Sequence, residues 1–226
     1  MPNPGFRIKL SFERPDPALV KSFAGIPIAN IGDTMNRMAC MAARIRPLNK
    51  APLLGPAFTV KVRAGDNLMF HKAINMAEPG DIIVVDAQGD VTYATTGELM
   101  VNWCRKRKIG GLIIDGAIRD YEAISKMDDF PVYVAGVNAN GPLKEGGGEI
   151  NFPIMCGGLT VNPGDILVGD EDGVVVVPQA DAAYILEKSR AVVEKEKGDT
   201  AAIESLTWTR PWVDEVLKTK GCEIIP

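Results

Sequence analysis

The sequence predicts an α/β domain, and three observations carry that prediction. Short runs rich in β-branched residues alternate with segments whose apolar residues recur at three- and four-residue spacing. The chain has 226 residues, enough to bury a core on both faces of a sheet. With 46% hydrophobic and 24% charged residues and no biased tract, residues 1–226 read as a single domain without a linker.

The elements follow in chain order. Helical spacing covers Pro17–Phe23 and Gly32–Ala42. A strand is expected over Ala57–Arg63, a helix over Asn67–Ala77 and a strand over Asp81–Asp86. A helix over Gly97–Lys108, a strand over Gly111–Asp115 and a helix over Tyr121–Met127 come next. Val132–Ala135, Leu159–Val161, Asp165–Val168 and Gly173–Val177 then read as strands with no helix between them, which predicts antiparallel pairing or a second layer. A last helix is expected over Ala180–Glu196. Pro79–Asp86 recurs as Pro163–Asp170, and both copies read as a Pro-Gly turn opening a buried strand. Ser205–Pro226 carries Trp208, Trp212 and an apolar end. That stretch is expected to pack on the domain or on a neighbouring subunit, with residues 179–226 contributing oligomer contacts.

Composition narrows the function. A net charge of −4 argues against a nucleic-acid partner, and Arg105–Lys108 reads as the cationic last turn of a helix. The longest apolar runs, Ile82–Val85 and Val174–Val177, fall far short of the roughly 20 residues that span a membrane. The N-terminus shows no export signal. Four dispersed cysteines, Cys40, Cys104, Cys156 and Cys222, suggest neither a zinc knuckle nor a disulfide framework, so a cytoplasmic location is expected. His71 is the single histidine, which removes zinc sites built on several imidazoles and weakens any Ser-His-Asp triad. It reads as a core-edge residue. Chemistry is therefore expected from carboxylates, an arginine and a divalent metal.

Two segments are candidates for a site. Thr95-Thr96-Gly97-Glu98-Leu99-Met100 opens a helix, and free N–H groups at such a terminus accept a small anion. Arg119-Asp120 falls just past the carboxyl end of the strand over Gly111–Asp115, where ligands bind in open α/β sheets. Taken alone, Arg119 and Asp120 also read as a solvated pair, with Asp120 capping the helix after it. Asp33 is a good early-helix carboxylate, and Lys144 reads as a loop lysine.

Gly97–Met100, Gly110–Gly116, Arg119-Asp120 and Asp170–Pro178 together resemble the RraA-like family. Arg44–Leu48, Gly55–Val60, Gly65-Asp66-Asn67 and Gly157–Val161 match it as well, so the resemblance runs over nearly the whole chain. It implies an α-β-β-α sandwich of the swivelling-domain type, assembled as a homotrimer or homohexamer with sites between subunits. It also implies a lyase, the metal-dependent 4-hydroxy-4-methyl-2-oxoglutarate / 4-carboxy-4-hydroxy-2-oxoadipate aldolase, with oxaloacetate decarboxylase activity. In that reading Gly97, Glu98, Leu99 and Met100 hold a small 2-oxo acid, Arg119 binds its oxygens and Asp120 coordinates Mg²⁺ or Mn²⁺. Asp33 matches an acidic position reached through metal-bound water. Glu196, with Glu194 competing for the role, matches a glutamate donated by a neighbouring subunit. Two alternatives stand beside it: a non-enzymatic regulator of ribonuclease activity, as in the protein that names the family, and a Schiff-base aldolase using Lys144. No Gly-rich strand–turn–helix fingerprint supports an adenosyl cofactor.

Overall fold

The structure is a computed structural model that describes residues 2–225. Its contacts group the chain into two compact units, Met1–Ser189 and Arg190–Pro226. The strands are β1 (Phe6–Ile8), β2 (Arg46–Pro47), β3 (Leu53–Val62), β4 (Ile82–Asp86), β5 (Ala94–Thr96), β6 (Gly111–Ile118), β7 (Val132–Val137), β8 (Gly148–Ile150), β9 (Ile154–Cys156), β10 (Leu159–Val161), β11 (Ile166–Asp170) and β12 (Gly173–Val177). The helices are α1 (Pro17–Lys21), α2 (Ile28–Thr34), α3 (Leu68–Met76), α4 (Glu98–Lys106), α5 (Tyr121–Ser125), α6 (Ala182–Glu204) and α7 (Trp212–Thr219).

The centre of the first unit is the parallel run β3-β4-β6-β7, extended by β8 antiparallel to β3 and by β2 antiparallel to β7. β3 belongs to two layers. Its residues 57–61 pair with β4, while 53–56 pair with β11, which in turn pairs with β12. Alternate residues then fill separate cores, as the two-residue period of a strand requires. Ile83 and Val85 of β4 face a core shared with Phe70, Ile74 and Val101 of α3 and α4. Ile82 and Val84 face a middle core with Leu167, Val174 and Val176. Val175 and Val177 turn the other way, onto Val20, Ile31 and Ile185 of α1, α2 and α6. Helices, sheet, second sheet, helices: the first unit is the α-β-β-α sandwich. Burial on both faces explains why these strands read as unbroken β-branched runs, each valine or isoleucine contributing about 1.5–3 kcal/mol when fully buried.

The repeated Pro-Gly segments fold alike. Asp81 N donates to Glu78 O and Asp165 N to Asn162 O, each at 3.1 Å, with Gly80 and Gly164 at φ +91° and +90°. These are turns with proline second and a left-handed glycine third. Asp81 and Asp165 close them by accepting from Glu78 N and Asn162 N, both at 2.8 Å.

The two largest boundary corrections fall on helices, while β3 begins at Leu53 and β6 runs on to Ile118. The helix expected over Gly32–Ala42 lies at Ile28–Thr34: Pro27 opens it, and Asn36 and Arg37 at φ 57° and 61° end it. The last long helix runs on to Glu204, beginning in the first unit, where Ala182, Ile185 and Leu186 are buried, and continuing into the second. In the second unit α7 was not expected from the sequence, and Leu206, Trp212, Ile224 and Ile225 are exposed there. No helix among the described residues is long and apolar enough to cross a membrane.

Candidate functional site

The site forms where β5 pairs with the end of β6. Ala94 lies opposite Ala117 and Thr96 opposite Ile118, so the residues that leave the two strands, Gly97 and Arg119, emerge side by side. Arg119 N donates to Thr96 O at 3.0 Å and fixes the exit. Asp120 follows in the left-handed region, at φ 60° and ψ 38°. That conformation is uncommon for a residue with a Cβ and marks a position held by its surroundings. Asp120 heads α5 but its side chain does not cap that helix. It turns back to the start of α4, where Oδ2 accepts from Glu98 N at 2.9 Å, with Arg119 Nε 3.8 Å from the same oxygen. The anion at this helix terminus is therefore the chain's own carboxylate, and the first turn leaves the Leu99 and Met100 N–H groups without an intrahelical acceptor.

Gly97 makes the arrangement sterically possible. A Cβ there would collide with Asp120 Oδ2 and lie 3.1 Å from Arg119 Cγ and 3.2 Å from Arg119 Nε. The side chains of Arg119 and Asp120 are 49% and 44% exposed, open to a ligand.

Both open onto a cleft of about 290 Å³ lined by Asn67, His71, Thr96, Gly97, Leu99, Met100, Pro142 and Lys144 in addition to themselves. Asn67 Nδ2 donates to Thr95 O at 2.9 Å, which orients its amide. Asn67 Oδ1 and Thr96 Oγ1 are buried with no hydrogen-bond partner, an unusual state for polar atoms at the wall of a cleft. His71 has its pKa lowered by burial and then by the charge of Lys144, so its imidazole is biased toward the neutral form. A larger hollow beside Phe23, Ile26 and Leu54 is mostly apolar. The smaller cleft is where polar groups converge.

Of the residues expected at the site, Gly97, Leu99, Met100, Arg119 and Asp120 meet here, and Glu98 contributes its backbone amide. Asp33 is elsewhere, on α2, where Oδ1 accepts from Arg37 Nε at 2.9 Å. Glu196 lies on the part of α6 in the second unit, as does Glu194, which pairs with Lys197 at 2.6 Å. Asn67 and His71 are lining residues that were read from sequence without a site role, whereas Thr96 stood in the candidate segment at the start of α4 and Lys144 in the Schiff-base alternative. The signal at Asn67 was its place in the Gly65-Asp66-Asn67 match. His71 faces the cleft, where a core-edge place was expected.

No group of three or more His, Cys, Asp or Glu side chains among the described residues is arranged to hold a metal. What the cleft offers is one carboxylate and neutral oxygens. That donor set suits a hard cation that keeps several waters, and does not suit a closed zinc site.

Comparison with known proteins identifies the family. A family model described as RraA-like, Aldolase/RraA, matches residues 28–176. A protein of Halalkalibacterium halodurans named "Putative 4-hydroxy-4-methyl-2-oxoglutarate aldolase" is 40% identical over 186 residues, covering 82% of this chain and 86% of the relative. An uncharacterized protein of Methanocaldococcus jannaschii is 36% identical over 159 residues, covering 68% and 74%. Among solved structures, Streptomyces coelicolor RraAS2, described as an unusual member of the RNase ES inhibitor RraA protein family, is 23% identical with a TM-score of 0.74, covering 83% of this chain and 99% of that one. At that identity the likeness speaks for the fold alone.

Proposed function

The chain belongs to the RraA-like family, and from that membership and the cleft we propose that it is a metal-dependent lyase releasing pyruvate from 4-hydroxy-4-methyl-2-oxoglutarate or a related 4-hydroxy-2-oxo acid. The observation that carries the proposal is the meeting of Arg119, Asp120 and the start of α4 around a single polar cleft.

In the proposed reaction the C4 hydroxyl loses a proton, the C3–C4 bond breaks as C4 becomes a carbonyl, the electron pair stays on the pyruvate fragment as an enolate, and C3 then takes up a proton to give pyruvate. The N–H groups of Leu99 and Met100 hold the substrate carboxylate. Arg119 presents a planar pair of donors to the oxygen on which charge develops, a contact that strengthens as the enolate forms. Asp120, whose carboxylate is oriented by Glu98 N, would hold Mg²⁺ or Mn²⁺. Such a cation, when bound, supplies positive charge to the keto and carboxylate oxygens. Oxaloacetate decarboxylation passes through the same enolate, so the same residues serve it. The site is completed in a homotrimer or homohexamer by a glutamate of a neighbouring copy, Glu196 or its competitor Glu194.

Pyruvate should appear from 4-hydroxy-4-methyl-2-oxoglutarate and from oxaloacetate with Mg²⁺ or Mn²⁺, stop on chelation and return on adding metal. No pyruvate from either substrate would leave the ribonuclease regulator, a reading that the family description and the fold likeness to RraAS2 support. Lys144 lines the cleft, and this favours testing the Schiff-base route as well. Full activity in excess chelator with borohydride inactivation at Lys144 would replace the metal mechanism. Sedimentation at micromolar concentration should give a trimer or hexamer. An active monomer would remove Glu196 from the site.

A further inference from the structure

β5 is too short to hold its own place. It spans three residues, and its pairing with β6 changes register between Ala94 and Thr96. Such a strand makes few ladder bonds, yet it decides where Gly97 meets Arg119. The bonds that steady it come from the segment after β7.

Asn138 and Asn140 reach from that segment to the chain entering β5. Asn138 Nδ2 donates to Val91 O at 3.0 Å and Asn140 Nδ2 to Thr92 O at 3.1 Å. Asn138 Oδ1 accepts from Asn140 N at 3.0 Å, which orients the first amide with its NH₂ toward Val91. The main chain adds Ala94 N to Asn140 O at 2.8 Å and Asn138 N to Ile118 O at 2.9 Å. Ile118 is the residue before Arg119. Residues 138–140 therefore grip both strands that carry the site: the approach to β5 at Val91, Thr92 and Ala94, and the end of β6 at Ile118.

A brace acts only if its own ends are fixed. One end continues β7, where Val137 pairs with Ile118. The other is held by the buried carboxylate of Asp66, which accepts through Oδ2 from Glu145 N and from Gly146 N at 3.1 Å. Between these anchors the segment runs beside the guanidinium, since a Cβ on Gly141 would lie 3.2 Å from Arg119 Nη1.

We infer that Asn138 and Asn140 are positioning residues that set where Gly97 and Arg119 meet. They act through β5 and the end of β6, and neither lines the cleft. The inference rests on the reading given under Proposed function for the reaction this alignment serves.

The test uses the full-length protein with Mg²⁺ and reads two things in each variant: amide protection at Ala94 N and Arg119 N, and pyruvate release from 4-hydroxy-4-methyl-2-oxoglutarate. Asn138→Asp keeps the shape and the acceptor for Asn140 N, but sets a carboxylate oxygen against Val91 O. Asn140→Ala deletes the donor to Thr92 O. Each should speed exchange at Ala94 N and Arg119 N by about tenfold or more and leave the amides of β4 unchanged, as in a local opening. Each should lower kcat and kcat/KM together by about tenfold, less than the roughly 10²-fold of an ångström's misplacement, because the main-chain bonds remain.

Asn138→Asp also gives a reading that general loosening would not move. Its carboxyl, once protonated, donates to Val91 O again. Protection measured against the unaltered protein should therefore return as the pH falls toward about 4 and be lost as it rises. Asn140→Ala should show no such recovery. If Asn140→Ala does not fold, Asn138→Asp decides alone.

Unchanged protection at Ala94 N and Arg119 N, an equal loss throughout β4, no recovery of Asn138→Asp in acid, or a normal rate from a variant whose Arg119 N has lost protection would each overturn the inference. Local, acid-reversible loss of protection in a protein that releases no pyruvate even when unaltered sinks the aldolase reading alone.

Discussion

Gly97→Ala is expected to lower kcat/KM for pyruvate release by roughly 10²-fold or more, the loss that misplacement by about an ångström produces in a pre-oriented site. The reason is local. Gly97 has φ −151° and ψ −173°, extended backbone that alanine adopts without strain. The added methyl meets Asp120 Oδ2 and the Arg119 side chain, so the substitution displaces the two reacting-site groups and little else. The melting temperature should stay within a few degrees of the unaltered protein. Normal activity would mean that the contact between Asp120 and Glu98 N has no part in the reaction, and a collapsed melting temperature would make Gly97 a packing residue.

How much of this was legible depends on the distance over which each feature is set. β4 and β12 announce themselves because strands buried along their whole length carry runs of consecutive β-branched residues, a signal within five residues. β3 was read from Ala57 because Gly55-Pro56 punctuates the sequence as a turn does. The strand passes through that pair because its first half changes partner to β11, a fact held elsewhere in the chain. β5 spans only Ala94–Thr96 and was not read as a strand. Yet its pairing with β6 is what brings Gly97 to Arg119.

The placement of the Asp120 side chain was half legible. Its place after a strand pointed to a ligand, while local preference pointed to capping α5, and the left-handed backbone with the pull of Glu98 N resolves that competition in favour of the cleft. Lys144 and Asp66 carried no readable signal together, since 79 residues separate Asp66 from the Glu145 N–H that donates to it. Helix periodicity failed at Gly32–Ala42 for a different reason: Pro27 starts the helix early, and Asn36 and Arg37 accept the left-handed conformation that ends it.

Arg119 and Asp120 stand next to each other and should fail in different ways. Asp120→Asn keeps an oxygen to accept from Glu98 N, so the loop should hold its shape, but it removes the negative charge that attracts a divalent cation. Its main loss should be metal affinity, and raising Mg²⁺ or Mn²⁺ should recover part of the rate. Arg119→Lys keeps the charge and gives up the planar two-pronged donor. Metal affinity should survive while kcat and kcat/KM fall together by about 10²-fold or more, as when other donors to a developing oxyanion are removed. Both side chains are about half exposed, so neither change should cost much stability. The measurement is pyruvate release over a metal titration for each variant. A rise in KM alone for Arg119→Lys would make the arginine a docking group with no added role in the transition state. Full activity in both variants would place the chemistry outside this cleft.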